Sequence, residues 1–253
     1  MILFLIFPAI IVAVTGYDCY RGKLTPQYRE KIVREHNRLR SKLAKGTYKN
    51  SAGKWMPKGK NMMEMKWDCE LELMAQRWAD QCVSGNSPKD RRGRIGENVY
   101  TQRSDTSVAV YGTSGIMIAL ESWWVELTRS YKNNPSNKYT SIVANRGVSN
   151  FTQLAWGKTY KVGCGIATHC DGGKAFVAVC QYNPGGNTMG ESIYEKGRPC
   201  KTDRDCSSRK CCKRIWIVQI EFLHLIFGFA MHPYIYFSAK KLKKIFIIKY
   251  EYI

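Results

Sequence analysis

Ten cysteines limit what this chain can fold into more than any other feature. They follow an uncharged apolar leader, residues 1–16, which closes with the small residues Ala13, Thr15 and Gly16. We interpret the leader as a secretory signal peptide cut near Gly16, in preference to an uncleaved membrane anchor. An even number of cysteines behind such a leader predicts disulfides in a secreted, extracellular protein. The candidates are Cys19, Cys69, Cys82, Cys164, Cys170, Cys180, Cys200, Cys206, Cys211 and Cys212.

The net charge restricts the class of partner. The 253 residues carry 40 lysines and arginines against 20 acidic residues, a formal net charge of +20. Residues 215–253 hold five lysines and two glutamates, which leaves +17 for the rest of the chain. Outside the cell such a surface attracts sulfated glycans or anionic membranes, and secretion argues against nucleic acid as a partner. Solubility alone would also account for the charge, so the charge names no single partner.

Three segments have the periodicity of amphipathic helices. Thr25 followed by Pro26 predicts the start of a helix over 27–44. Two further helices are predicted over 67–83 and 116–131. The residues expected on the buried faces are Ile32, His36, Leu39, Leu43, Leu71, Ala75, Trp78, Cys82, Leu120, Trp123, Trp124 and Leu127. The intervening stretches 45–60, 84–96 and 132–150 are polar and predict loops.

Later segments change to the pattern of strands. Residues 162–167 and 175–182 are short, apolar and bounded by glycine, and the intervening residues 170–173 (CDGG) predict a tight turn. Helices first and strands later predict an α+β layered fold. Residues 188–214 are rich in cysteine and too short for an apolar core of their own, so this small extension is expected to depend on disulfides.

Five motifs carry a family resemblance. Residues 35–40 (EHNRLR), 96–100 (GENVY), 123–126 (WWVE), 151–156 (FTQLAW) and 180–187 (CQYNPGGN) together resemble the CAP superfamily of cysteine-rich secretory, antigen 5 and pathogenesis-related proteins. Residues 193–200 (IYEKGRPC) are similar to the activation-associated secreted proteins of nematodes, a venom allergen-like type. The resemblance covers residues 24–187 and implies an α-β-α sandwich around a central antiparallel sheet.

The resemblance also implies a central cleft. In many members two histidines and two glutamates of this cleft bind zinc or another divalent ion. Glu97 and Glu126 match the glutamates, whereas Asn86 and Asn150 stand where the histidines would be. An amide oxygen is a neutral ligand that suits hard ions better than zinc. We therefore predict no tight zinc site, no metal and no other cofactor.

The four histidines do not replace the missing ligands. His36 lies on the predicted buried stripe of the first helix and is expected to be structural, and His169 adjoins the predicted turn. His224 and His232 lie near the end of the chain. Glu97 or Glu126 would still be available as a general base, but no Ser/His pair is visible. We therefore predict no catalytic residues and a non-enzymatic protein, with a hydrolase as the least favoured reading.

A sequon begins at Asn150. Residues 150–152 (NFT) match the acceptor sequence for N-glycosylation. A glycan there would close the cleft implied by the resemblance. A site beside an aromatic residue in a buried setting tolerates sugar poorly, so we favour an unused sequon.

Two functional hypotheses remain open at the level of sequence. The first is an extracellular binding or effector protein that engages a protein receptor or a sulfated glycan through its basic surface and so modulates a host. The second is a lipid or sterol carrier, for which Trp123, Trp124 and Trp156 would line a groove. The same indoles fit an ordinary core equally well.

The last segment, 215–253, departs from the rest. Its mostly apolar residues 215–237 precede four lysines, a pattern typical of a membrane span with a basic flank. Gln219, Glu221, His224, His232 and Pro233 interrupt that span. Ile, Phe, Lys and Tyr make up 23 of its 39 residues, and their AT-rich codons favour a translated intron over a real anchor. A membrane partner is expected only if this tail is native.

Overall fold

The computed structural model describes residues 17–20, 22–201 and 205. The helices are α1 Pro26–Ala44, α2 Cys69–Ala79, α3 Lys89–Arg92, α4 Gly115–Arg129, α5 Ser141–Ala144, α6 Ser149–Leu154 and the short, kinked α7 Cys170–Gly173, with a 3-10 helix at Ala109–Ser114. The strands are β1 Gly59–Lys60, β2 Lys66–Trp67, β3 Gly96–Arg103, β4 Lys161–His169, β5 Ala175–Asn183 and β6 Glu195–Lys196. In this part of the chain no helix is both long and apolar enough to cross a bilayer. The predicted leader, the tail and Cys206, Cys211 and Cys212 lie outside the described residues.

The three predicted helices are present, with shifted ends. Thr25 caps α1 by accepting a hydrogen bond from the Tyr28 N–H at 3.3 Å, with Pro26 in the first turn. Helix α2 starts later than predicted because Asp68 caps it, accepting from the backbone N–H groups of Glu70 and Leu71. It ends at Ala79, before Cys82 with its φ of 59°. The predicted stripes of α1 and α4 are buried, whereas Trp78 and Cys82 are only half-buried.

The main sheet has the strand order β2-β4-β5-β3. Strands β4 and β5 form the predicted antiparallel pair, and β3 is antiparallel to β5 over its whole length, from Gly96 opposite Tyr182 to Arg103 opposite Ala175. The short β2 adds a parallel edge. The periodicity did not predict β3, although residues 96–100 were recognised as a motif. With helices on both faces, the α+β fold is confirmed as an α-β-α sandwich.

The two faces of β5 pack into different cores because side chains alternate along a strand. Phe176 and Tyr182 join the larger core with α1, α4 and α6, whereas Val177 and Val179 join a smaller core with Ala75 of α2. Helix α2 lies close to β4 because β4 carries glycines on that side. A Cβ on Gly163 would come within 2.2 Å of the Glu72 nitrogen. Any side chain at this position would therefore push α2 away from the sheet.

Disulfides are present, as predicted. Cys19 pairs with Cys69, Cys82 with Cys170 and Cys164 with Cys180. The last pair joins directly opposite residues of β4 and β5. Cys200 is also disulfide-bonded. These covalent links support an extracellular location, since such bonds persist in oxidising compartments.

Helix α1 connects distant parts of the chain through two buried arginines. The Arg29 guanidinium forms a bidentate ion pair with Glu72, with 2.8 and 3.0 Å between donors and acceptors. Arg40 is 3% exposed and forms no ion pair with any carboxylate of the described residues. It donates instead to the backbone carbonyls of Met63, Leu154, Trp156, Gly157 and Thr159. Burial lowers the pKa of Arg40 to about 9, so it stays charged at neutral pH.

The described start of the predicted extension packs on the domain. Ile193 and Tyr194 are buried in the larger core, and the Asn137 side chain donates to the Tyr194 carbonyl at 2.6 Å. Strand β6 then pairs with β1. Residues 188–196 are therefore held by the same core as the strands and helices before them.

Candidate functional site

Glu97 is the centre of the site that the family resemblance assigns to a cleft. It is the second residue of β3 and is 8% exposed. Its Oε1 accepts from the Ser87 backbone N–H at 2.6 Å and from the Asn86 amide at 3.2 Å. Its Oε2 accepts from the Ser87 hydroxyl and from the Gln181 amide, both at 2.8 Å. A carboxylate has about four lone-pair sites, so the acceptor capacity of Glu97 is filled by protein donors.

Glu126 has a similar arrangement on α4. Its Oε1 accepts from the Asn150 amide at 2.7 Å and its Oε2 from the Phe151 backbone N–H at 2.9 Å. Burial raises the pKa of Glu126, although both hydrogen bonds act in the opposite direction. Both donors belong to α6, so this carboxylate joins α4 to α6.

The four residues expected in the cleft therefore come together as two pairs, Asn86 with Glu97 and Asn150 with Glu126. Asn98, next to Glu97 on β3, links them by donating from its amide to the Asn150 carbonyl at 3.0 Å. Asn98 is 1% exposed and faces the core. In each pair the asparagine, which the resemblance predicts at a family histidine position, donates to the glutamate.

These donors and acceptors do not fit a zinc ion. Zinc requires lone pairs from imidazole, thiolate or carboxylate, but both amides direct N–H groups toward the carboxylates and both Glu97 oxygens are occupied. A carboxylate only accepts hydrogen bonds, so each asparagine must direct its N–H group, and not its oxygen, toward the glutamate. That the cleft binds no zinc tightly stays a prediction, which these contacts support.

One other group of metal-binding side chains occurs in the described part of the chain. The ligand atoms of Cys82, His169 and Cys170 lie within 4.8 Å of one another. Cys82 and Cys170 are bonded to each other at 2.06 Å, so neither offers a thiolate. The His169 imidazole contacts Cys82 Sγ at 3.6 Å. With the disulfide intact, this group offers one conventional ligand, which is fewer than a structural or catalytic metal site uses.

His36 has the structural role expected of it. It is fully buried, its Nδ1 lies 2.8 Å from the Ile32 carbonyl and its Nε2 lies 3.3 Å from the Tyr182 hydroxyl. Burial lowers the pKa of His36 to about 4. The imidazole is therefore neutral at physiological pH and ties α1 to β5.

The sequon lies inside the packed structure. The Asn150 amide nitrogen, to which a glycan would be attached, donates to Glu126. Thr152 is fully buried, and its hydroxyl donates to Asn187 at 2.7 Å. Both side chains that an acceptor site needs are thus committed to internal contacts, which supports the expectation of an unused sequon.

The three indoles that were candidates for lining a groove are buried in the core. Trp123, Trp124 and Trp156 are 2%, 8% and 1% exposed and belong to the larger core, so they line no open groove.

Ser87 and Gln181 also donate hydrogen bonds to Glu97, but the sequence did not predict these contacts. Gln181 lies within a motif and Ser87 directly follows Asn86, but the sequence does not indicate which carboxylate either side chain contacts.

The three-layer, disulfide-bonded fold with glutamates on β3 and α4 is the arrangement expected of the family that the sequence motifs resemble. A sequence model of the CAP (cysteine-rich secretory protein) family matches residues 33–182. The Ancylostoma secreted protein of Ancylostoma caninum is 36% identical over 193 residues, which are 75% of this chain and 43% of that protein. Cysteine-rich secretory protein 2 of Homo sapiens is 34% identical over 194 residues, 73% of this chain and 69% of that protein. The chain belongs to the CAP family.

Solved structures agree with this assignment. The structure of BmVAL-1 has a TM-score of 0.76 and 54% identity, covering 78% of this chain and 95% of the other. The zinc-bound crystal structure of NaASP2 has a TM-score of 0.67 and 33% identity, covering 78% of this chain and all of the other. The chain spans less than half the length of the Ancylostoma protein, and the secreted relatives further support an extracellular location.

Proposed function

We propose that this chain is a non-enzymatic extracellular binding protein that engages a polyanionic partner, a sulfated glycan or an acidic receptor surface. The observation that carries the proposal is the contrast between a cleft whose carboxylates are already satisfied and a surface rich in unpaired cations. Ion pairs in the described residues engage Lys23, Arg29, Arg38, Lys60, Arg103, Lys158 and Lys161. Among the residues that the structure describes, exposed lysines such as Lys45, Lys49 and Lys54 form no ion pair.

The cleft chemistry argues against hydrolysis. A general base needs a free lone pair within hydrogen-bond reach of the proton that it removes. Both oxygens of Glu97 already accept two hydrogen bonds each, and the Ser87 hydroxyl donates to Glu97 without an imidazole beside it. A zinc-activated water also requires a site that these residues do not form, although the relative NaASP2 was solved with Zn²⁺.

Heparin-affinity chromatography of the refolded, oxidised chain tests the proposal. We expect elution well above the physiological ionic strength of about 0.15 M, and weaker retention on desulfated heparin. Casein and lipid-ester substrates should show no turnover above the buffer rate. Elution below physiological ionic strength, together with no binding to acidic proteins, would overturn the binding role, and turnover lost in Glu97→Ala would overturn the non-enzymatic one.

A further inference from the structure

An acid-free stretch of the described chain that is dense in cations lies between Glu35 and Glu64. Residues 36–63 carry eight lysines and arginines and no aspartate or glutamate. Arg40 is buried, but every lysine of this stretch is exposed: Lys42, Lys45, Lys49, Lys54, Lys58 and Lys60. Among the described residues, Arg38 pairs with Glu35 and Lys60 with Glu195 at 3.7 Å, and the other lysines of the stretch form no ion pair. Most of the positive charge at this surface is therefore not neutralised by an acidic partner.

Part of this stretch forms a fixed platform, the 48–56 hairpin. Lys49 is bridged to Trp55, the Met56 N–H donates to the Tyr48 carbonyl at 2.8 Å, and the Asn50 N–H donates to the Lys54 carbonyl at 2.9 Å. The Asn50 side chain accepts from two backbone N–H groups of the tip, those of Ala52 and Lys54.

The hairpin is also anchored to the domain. The Ser51 N–H donates to the Tyr131 carbonyl at 3.0 Å, Met56 is buried and the Tyr48 ring lies 5.3 Å from that of Trp124. A ligand would find the hairpin already ordered, and pre-ordering reduces the entropy cost of binding.

Trp55 is the exposed aromatic residue of this platform. Its side chain is 64% exposed, and the Lys49 ammonium lies 4.8 Å from the centre of its ring. A single exposed apolar residue needs no explanation by itself. Here the indole stands on an ordered hairpin among unpaired lysines, an arrangement that offers a stacking face and several cations to one ligand.

We propose that the 48–56 hairpin is a binding site for sulfated glycans, in which the Trp55 indole stacks on a sugar ring and Lys49, Lys54 and Lys58 contact sulfate groups. This inference rests on the proposed function and locates it. An indole presents a large apolar face with little flexibility, which matches the C–H face of one sugar ring. Lysine ammonium groups act as flexible point charges, which suits sulfates of varied spacing.

A membrane surface is a poorer fit for the same hairpin. Interfacial binding grows with the apolar area inserted among the lipids. In the described residues 48–56, Trp55 is the one large hydrophobic side chain that is exposed, and its neighbours at the tip are alanine, glycine and lysine. One indole inserts little area but is enough to cover one sugar.

Calorimetry with a heparin octasaccharide and the full chain tests the site. Lys49→Gln/Lys54→Gln should weaken binding about tenfold, since each exposed ion pair contributes a several-fold factor. It should also lower the dependence of the affinity on salt. Trp55→Ala should weaken binding several-fold with the salt dependence unchanged, because the indole is uncharged, and Trp55→Phe should recover part of the loss.

The matched control removes two cations elsewhere. Lys89→Gln/Arg91→Gln acts on exposed, unpaired residues of α3 and changes the net charge by the same amount. We expect a loss of about twofold or less from this control. Unfolding midpoints of all variants should match that of the wild type, which excludes misfolding as the cause.

The possible negative results distinguish failure of the hairpin site from failure of the proposed function. No heparin binding by the wild-type chain would overturn this site together with the glycan form of the proposed function. Equal losses in the hairpin and control variants would overturn the hairpin site alone and leave binding by diffuse charge. If Trp55→Ala lost binding to phosphatidylserine vesicles but kept octasaccharide affinity, the hairpin would be a membrane contact and the glycan site would be wrong.

Discussion

The cleft and the 48–56 hairpin use polar groups in opposite ways. In the cleft, Glu97 accepts hydrogen bonds from residues 86–87 and from Gln181 of β5. Glu126 accepts from α6, so both carboxylates hold neighbouring elements together. In the hairpin, backbone hydrogen bonds hold the turn and anchor it to Tyr131, while the lysine ammonium groups and the Trp55 indole face solvent. A family signature thus marks a structural site here, and a loop outside the signatures carries the groups that remain free to bind.

The largest expected effect is a loss of stability on substitution of Glu97, which distinguishes the cleft from the hairpin. Glu97→Ala leaves the Ser87 N–H and hydroxyl and the Gln181 amide without their acceptor, and each unsatisfied buried group costs about 1–3 kcal/mol. We expect a loss of about 4 kcal/mol in the free energy of unfolding. Thermal unfolding of the oxidised chain should show a midpoint roughly 10 °C lower.

Trp55→Ala is the control for that measurement. An exposed residue away from the core should change the free energy of unfolding by about 0.5 kcal/mol or less. If Trp55→Ala destabilised the protein as much as Glu97→Ala, the hairpin would be a structural element and the comparison would fail.

The second prediction concerns acid. The pKa of His36 is about 4 in the folded protein, whereas an unfolded histidine takes up its proton near pH 6.5. The unfolded state therefore binds more protons between these values, and the protein loses stability as the pH falls from about 6.5 to 4. The full loss is about 3 kcal/mol. Urea unfolding at a series of pH values measures it.

His36→Asn isolates this contribution. The variant should be less stable at pH 7 but should vary less with pH between 6.5 and 4. The pKa of Glu126, raised by burial, contributes with the opposite sign, since stability then falls as the pH rises above the unfolded glutamate pKa. An equally steep profile in His36→Asn would contradict the assignment.

The third prediction tests what keeps zinc out of the cleft. Asn86→His/Asn150→His replaces the two amides by imidazoles beside Glu97 and Glu126. We expect zinc affinity to rise at least about 100-fold, equivalent to ~2.7 kcal/mol, measured by calorimetry. Adding Glu97→Ala to the double variant should remove the gain. Submicromolar zinc binding by the wild-type chain, abolished by Glu97→Ala, would show that amides do not exclude the ion.

Sequence periodicity predicted the framework because helices α1, α2 and α4 each bury one stripe. The stripes of Ile32 and Leu43 in α1 and of Leu120 and Leu127 in α4 follow from a repeat of 3.6 residues. Strand β3 escaped prediction because its residues after Gly96 do not alternate between apolar and polar. Its partner is β5, about eighty residues away.

The two sites were predictable to different degrees. The resemblance located Glu97, Glu126, Asn86 and Asn150, but their pairing depends on three-dimensional contacts across 11 and 24 residues of sequence. The hairpin was predicted only as part of a polar loop over 45–60. Its platform depends on one bridge between Lys49 and Trp55 and on a single Asn50 side chain, which no periodic pattern encodes.

Arg40 has a consequence for the order in which the protein folds during export. It lies in α1, the first described helix, yet four of its five carbonyl partners lie more than a hundred residues later, between Leu154 and Thr159. Until those residues emerge, α1 carries a charged group that the finished fold buries but that the nascent chain must leave in water. We therefore expect α1 to dock fully only after residues 154–159 have been synthesised.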